Sequence, residues 1–147
     1  SSLNDGGAAL VLASSDKAEE LGHKPMARLV ASASAAVDPK IMGYGVVPAV
    51  QKALKFAGLS MSDIGLWELN EAFAAQVIAC NRDLKIDKNI INVNGSGISL
   101  GHPVGQTGAR IITTLLHEMK KRDVKYGVAS LCAGGGPAVA TVFELIK

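Results

Sequence analysis

The chain has 147 residues, 48% of them hydrophobic, and 15 basic residues against 13 acidic ones give a formal net charge of +2. That length and apolar content suit one compact domain with its own core, so residues 1–147 are expected to form a single domain. Charges of both signs are spread along the chain, which argues against a nucleic-acid-binding stripe, and no apolar run is long enough to cross a bilayer.

The opening Ser1-Ser2-Leu3-Asn4-Asp5-Gly6-Gly7 has neither the charge nor the apolar core of a signal peptide and, lacking an initiator methionine, reads as a cut edge. Residues 8–13 form a short apolar run and are expected to be a strand, followed by a helix through Ser15-Asp16-Lys17-Ala18-Glu19-Glu20-Leu21 that stops at Gly22. Residues 26–37, bounded by Pro25 and Pro39 and rich in small and β-branched side chains, read as a second strand. Val50, Ala53, Leu54 and Ala57 then recur at helical spacing, with Gly58 as the stop.

A third strand is expected over residues 64–69. It leads into a helix capped by Asn70 and running to about Leu84. The turn-rich Asn92-Val93-Asn94-Gly95-Ser96-Gly97 precedes a long helix expected to begin at Pro103, with Ile111, Ile112, Leu115, Leu116 and Met119 on its apolar face and Lys120, Lys121 and Arg122 at its C-terminal end. Residues 126–132 and 137–145 form a terminal hairpin around a glycine-rich turn. The order βαβ-α-βα-α-ββ implies an α/β fold, a mixed five-stranded sheet with helices on both faces.

Four residues could carry chemistry. His102, just before Pro103, is pushed to an extended backbone at the helix start, where the helix dipole favours the neutral imidazole that a general base requires; it would equally serve as a cap. Cys132 ends a strand and runs into Ala133 and three glycines. A buried cysteine is commonly a small core hydrophobe, but three glycines exceed what a tight turn needs and let a backbone N–H such as that of Gly134 approach a bound acyl group. Asn70 is either a helix cap or a polar group at a strand-to-helix junction, where α/β sites gather. Cys80 and Cys132 are the only cysteines and form no close-spaced pair, which fits a reduced compartment and a cytoplasmic location, with no metal site. Gly95-Ser96-Gly97 with Gly101 and Gly105 raises a dinucleotide-binding reading, but His-Pro interrupts the spacing and no acidic residue ends a second strand.

Taken in order, Ser1-Ser2-Leu3-Asn4-Asp5-Gly6, Asn70-Glu71-Ala72-Phe73, Gly101-His102-Pro103 with Gly108-Ala109-Arg110, and Cys132 through Gly136 resemble the motifs of the thiolases, and the resemblance matches the C-terminal half of that family's chain. It implies a ping-pong acyl transfer in which a cysteine of the N-terminal half, without counterpart here, accepts an acetyl group from acetyl-CoA and passes it to a second acyl-CoA. His102 would deprotonate that cysteine, and Cys132 would move the α-proton. Asn70 would hold a water that shares an oxyanion site with His102, and the Gly134 N–H would help form a second oxyanion hole. Ser1, Met42 and Phe73 match positions that contact the pantetheine arm of CoA. No metal or organic cofactor is implied, the CoA thioester being the substrate.

The partners implied are acyl-CoA and an N-terminal thiolase domain, in a homo-oligomer when complete, with no nucleic acid or membrane. The isolated chain is expected to be inactive and to self-associate through the face its partner domain would cover. Departures from the family pattern at Ala133 and Pro137 flank the reacting centre and bear on acyl-chain preference. The competing reading is a noncatalytic module that binds CoA or a partner domain.

Overall fold

The computed structural model describes residues 2–147; the contact expected of Ser1 lies outside the described residues. Four strands, β1 (Ala27–Ala36), β2 (Leu66–Leu69), β3 (Tyr126–Cys132) and β4 (Pro137–Leu145), form one sheet in the order β1-β4-β3-β2. β4 runs antiparallel to both β1 and β3, whereas β2 and β3 are parallel. The helices are α1 (Ser15–Glu20), α2 (Val46–Ala57), α3 (Ala74–Leu84), α4 (Gly97–Leu100) and α5 (Thr107–Arg122), with short 3-10 segments at Pro39–Gly45 and Met61–Asp63.

The two-residue strand period sends alternate side chains into two cores. On β2, Trp67 and Leu69 join Val128, Ala138, Ala140 and Val142 against α2, whose Val46, Val50, Ala53 and Leu54 are buried. Leu66, Ala129 and Phe143 face the other way, onto Ile111, Leu115 and Met119 of α5. Helices thus cover both faces, as expected. α2 ends where expected because Gly58, at φ +67, adopts the left-handed conformation that lets its N–H reach back to the last carbonyls.

The sheet has four strands, not five. Residues 8–13 pair with no strand among the described residues, and Val11 is 100% exposed. An apolar run identifies a segment suited to burial, but a strand also needs a partner's backbone. The outer edge of β2 is taken instead by residues 90–92: the Trp67 N–H donates to the Ile90 carbonyl and the Asn92 N–H to the Trp67 carbonyl, both at 2.8 Å, and the Asn92 side-chain amide takes the Leu69 N–H on Oδ1 at 2.9 Å and donates from Nδ2 to the Leu69 carbonyl at 2.8 Å.

Two helix starts also differ from expectation. Asn70 is no cap, since its N–H continues the parallel ladder to the Ser130 carbonyl (2.9 Å), and α3 begins only at Ala74, after Phe73. Pro103 opens a turn in which Gln106 and Thr107 N–H groups both donate to its carbonyl, so α5 starts at Thr107. No helix among the described residues is long and apolar enough to cross a membrane.

Candidate active site

Because β2 and β3 are parallel, their C-terminal ends share one edge of the sheet; β1 ends there and β4 begins there, through the Ala36–Pro137 pair. Asn70 follows β2 at this edge, Cys132 ends β3, and the glycine turn 133–136 links β3 to β4. The segment before α5 crosses the same edge and brings His102 Nε2 to 3.3 Å from Asn70 Nδ2. Two residues 32 positions apart in sequence thus meet directly.

The tautomer of His102 follows from its neighbours. The buried Thr107 hydroxyl donates to the Pro103 carbonyl at 2.9 Å, so its proton is committed and its lone pairs face His102 Nδ1 at 2.7 Å. Nδ1 therefore carries the hydrogen, and the basic lone pair of Nε2 points to the Asn70 amide. Burial lowers the imidazole below the ordinary histidine pKa, and the positive charge of Arg110 adds to it. The imidazole is held neutral by desolvation and a nearby cation, not by a helix terminus, since the start of α5 lies five residues further on.

The backbone at His102 is held as well, its N–H donating to Asn4 Oδ1 at 2.9 Å. Gly101 has φ +91, and a Cβ there would come 2.9 Å from Asn4 Cγ, so this position requires glycine. Thr107→Val is expected to leave His102 Nδ1 without an acceptor at a cost of about 1–3 kcal/mol, and to free the ring to rotate. The measurement is a thermal melt together with an NMR reading of the His102 tautomer; an unchanged tautomer would count against the role given to Thr107.

Cys132 is buried, and burial pushes its thiol pKa up, so it rests as a protonated thiol. Cys80 is fully buried in α3 with its thiol toward the Gly43 carbonyl, and burial raises its pKa as well. A buried thiol with a raised pKa is poorly placed as an acyl-accepting nucleophile.

The three glycines after Ala133 divide by function. Gly135 and Gly136 have φ +92 and +107, and a Cβ on Gly136 would overlap the Val37 carbonyl oxygen, in a segment held close because the Val37 N–H donates to the Gly136 carbonyl at 3.1 Å. Gly134 has neither a positive φ nor a neighbour within 4 Å of a built Cβ, and its N–H bonds to no described residue. The turn explains two glycines and leaves the third free to present its N–H. Gly136→Ala is expected to destabilise the fold by about 3 kcal/mol or more, and Gly134→Ala by less than about 1 kcal/mol. Comparing their denaturant midpoints tests this; equal losses would contradict it.

Met42 and Phe73 line one cleft of about 550 Å³ together with Ile41, Tyr44 and Gln76. Phe73 is half-exposed and is not a core residue. Sequence reasoning did not single out Thr107 or Asn92. A hydroxyl residue one turn after Pro103 was the available signal for the first; nothing local signalled the second, whose partners are 23 positions away.

Residues 23–145 match the family model described as "Thiolase, C-terminal domain". The chain belongs to the thiolase family. It is 55% identical over 144 residues to an acetyl-CoA acetyltransferase of Allochromatium vinosum, covering 98% of this chain and 36% of that protein. It is 54% identical over 149 residues to a 3-ketoacyl-CoA thiolase of Escherichia coli, covering 99% of this chain and 38% of that one. Among solved thiolases, the Bacillus anthracis acetyl-CoA acetyltransferase superposes with a TM-score of 0.89 at 51% identity, covering 90% of this chain and 34% of that one. The human mitochondrial 3-ketoacyl-CoA thiolase in complex with CoA gives 0.90 at 46% identity, covering 92% and 34%. The chain thus spans little more than a third of the length of the thiolases it matches.

Proposed function

We propose that this chain supplies the acid/base groups of a thiolase-type acetyl-CoA acetyltransferase, whose nucleophilic cysteine belongs to the portion of the enzyme beyond it. The observation that carries the reading is His102, a histidine of lowered pKa whose Nδ1 is tied to Thr107 and whose Nε2 lone pair is presented beside Asn70 at the sheet edge that also holds Cys132.

In the first half-reaction His102 Nε2 takes the proton of the nucleophilic thiol. The thiolate adds to the acetyl-CoA carbonyl, and the bond to CoA sulfur breaks as His102 returns the proton to the departing CoA. Asn70, through a water it holds, and His102 stabilise an oxyanion on the thioester. In the second half-reaction Cys132 gives its thiol proton to His102 and, as thiolate, takes the α-proton of a second acetyl-CoA. The resulting enolate attacks the acetyl-enzyme carbonyl, whose developing oxyanion the Gly134 N–H receives; the C–C bond of acetoacetyl-CoA forms, the bond to the nucleophilic sulfur breaks, and that thiolate takes the proton back from His102. Met42, Phe73 and Ser1 hold the pantetheine arm. The reaction needs no metal or organic cofactor, and the complete enzyme is a cytoplasmic homo-oligomer whose N-terminal domain packs on this chain.

The test is turnover of acetyl-CoA and acetoacetyl-CoA by the complete protein and by the 147-residue chain. Activity is expected only in the complete protein. Acyl-CoA binding without turnover there would favour the noncatalytic binding module, and turnover by the chain alone would overturn the assignment of the nucleophile.

A further inference from the structure

Two residues before Asn70, the strand β2 carries a carboxylate that the proposed chemistry does not use. Glu68 is 2% exposed and faces α5, where Arg110 Nη1 lies 3.6 Å from Glu68 Oε2. That separation exceeds a hydrogen bond, and both atoms are buried without a hydrogen-bond partner among the described residues. An ion pair withdrawn from water without good hydrogen bonds gives weak grounds for stability. Its place in the fold suggests a different use.

Arg110 sits where three segments meet. It lies one turn after Thr107, the residue that fixes His102 Nδ1. Its Nη2 donates to Ser96 Oγ at 3.4 Å, and that fully buried hydroxyl donates in turn to the Leu69 carbonyl at 3.5 Å, immediately before Asn70. The next residue, Gly97, backs onto the Asn70 side chain so closely that a Cβ there would stand 3.0 Å from Asn70 Oδ1. We propose that Arg110, anchored by Glu68, is a positioning residue for the acyl transfer: it ties β2, the 96–97 turn and the first turns of α5 together and so fixes the Asn70–His102 contact.

The anchor is itself titratable. Burial raises Glu68 to about 7, Arg110 of α5 opposes that rise, and Glu71 and Glu118 (the latter also on α5) reinforce it. Below that pH Glu68 is neutral and holds Arg110 weakly; above it the carboxylate pulls the guanidinium in. Alignment of Asn70 with His102 is therefore expected to tighten as pH rises through neutrality.

This inference rests on the acyl-transfer reading, but its first test does not require activity. In the unaltered chain, the His102 imidazole NMR signals are expected to show a second inflection near the titration of Glu68, separate from the ring's own lower one, and Glu68→Gln should abolish it. A single inflection, or a second one that survives Glu68→Gln, would overturn the coupling. In the complete thiolase, Glu68→Gln is expected to lower kcat by about tenfold at about pH 8.5 with KM within about twofold, and to cost almost nothing at about pH 6, where Glu68 is already protonated. Equal losses at both pH values would mark a structural role only and sink the proposal. If His102→Ala leaves turnover intact while the NMR coupling is present, the acyl-transfer reading fails and the Glu68–Arg110 link to His102 stands.

Discussion

His102→Ala in the complete thiolase is expected to lower kcat/KM by about 10²–10⁴-fold, the range for a positioned general base, with the fold retained. Steady-state kinetics on acetyl-CoA condensation and acetoacetyl-CoA thiolysis, beside a thermal melt, check it; a variant within a few fold of the parent would remove His102 from the mechanism. The pH dependence has a definite sign. A folded pKa below the ordinary histidine value means that the neutral base persists to lower pH than an exposed histidine would allow, so the acid limb of kcat/KM is expected below that value. Stability follows the same linkage. Above the unfolded-state pKa the ring is neutral in both states and its contribution is fully present; as pH falls the unfolded chain binds the proton first, and the contribution is lost down to the folded pKa.

Cys132→Ser is expected to separate the two half-reactions. The hydroxyl is a far weaker base than a thiolate once deprotonation is required, so condensation is expected to fall by about 10²–10⁴-fold. Acetyl transfer to the nucleophilic cysteine uses His102, and a stoichiometric burst of CoA from acetyl-CoA should therefore survive. In His102→Ala the burst should slow along with turnover. Rapid-mixing measurement of CoA release distinguishes these; loss of the burst in Cys132→Ser would show that Cys132 acts in the first half-reaction and would overturn the division of roles.

The elements legible in the sequence were those whose signal is local. The stripe Val50, Ala53, Leu54 with Gly58 beyond it located α2, and the apolar runs around the triple glycine located the β3–β4 hairpin, because helical period, a left-handed cap and a tight turn are each set by neighbours along the chain. Residues 8–13 carried a strand-like apolar signal without a strand partner among the described residues, and the outer edge of β2 is taken by residues 90–92. Asn70 and Pro103 both looked like helix starts because their residue types favour that position. Asn70 is instead held in the ladder by the Ser130 carbonyl, and the Pro103 carbonyl is taken up by a preceding turn.

For the site, the sequence by itself determined the residue types: a histidine before proline, a cysteine before glycines, an asparagine after a buried strand. Tertiary structure decided their relation. Parallel pairing of β2 and β3 placed Asn70 and Cys132 on one edge, Thr107 selected the His102 tautomer, and burial with Arg110 lowered its pKa. The physical reason is that a proton's position depends on donors, acceptors and dielectric within a few ångströms in space, and residues 32 positions apart in sequence, as Asn70 and His102 are, become neighbours only through the fold.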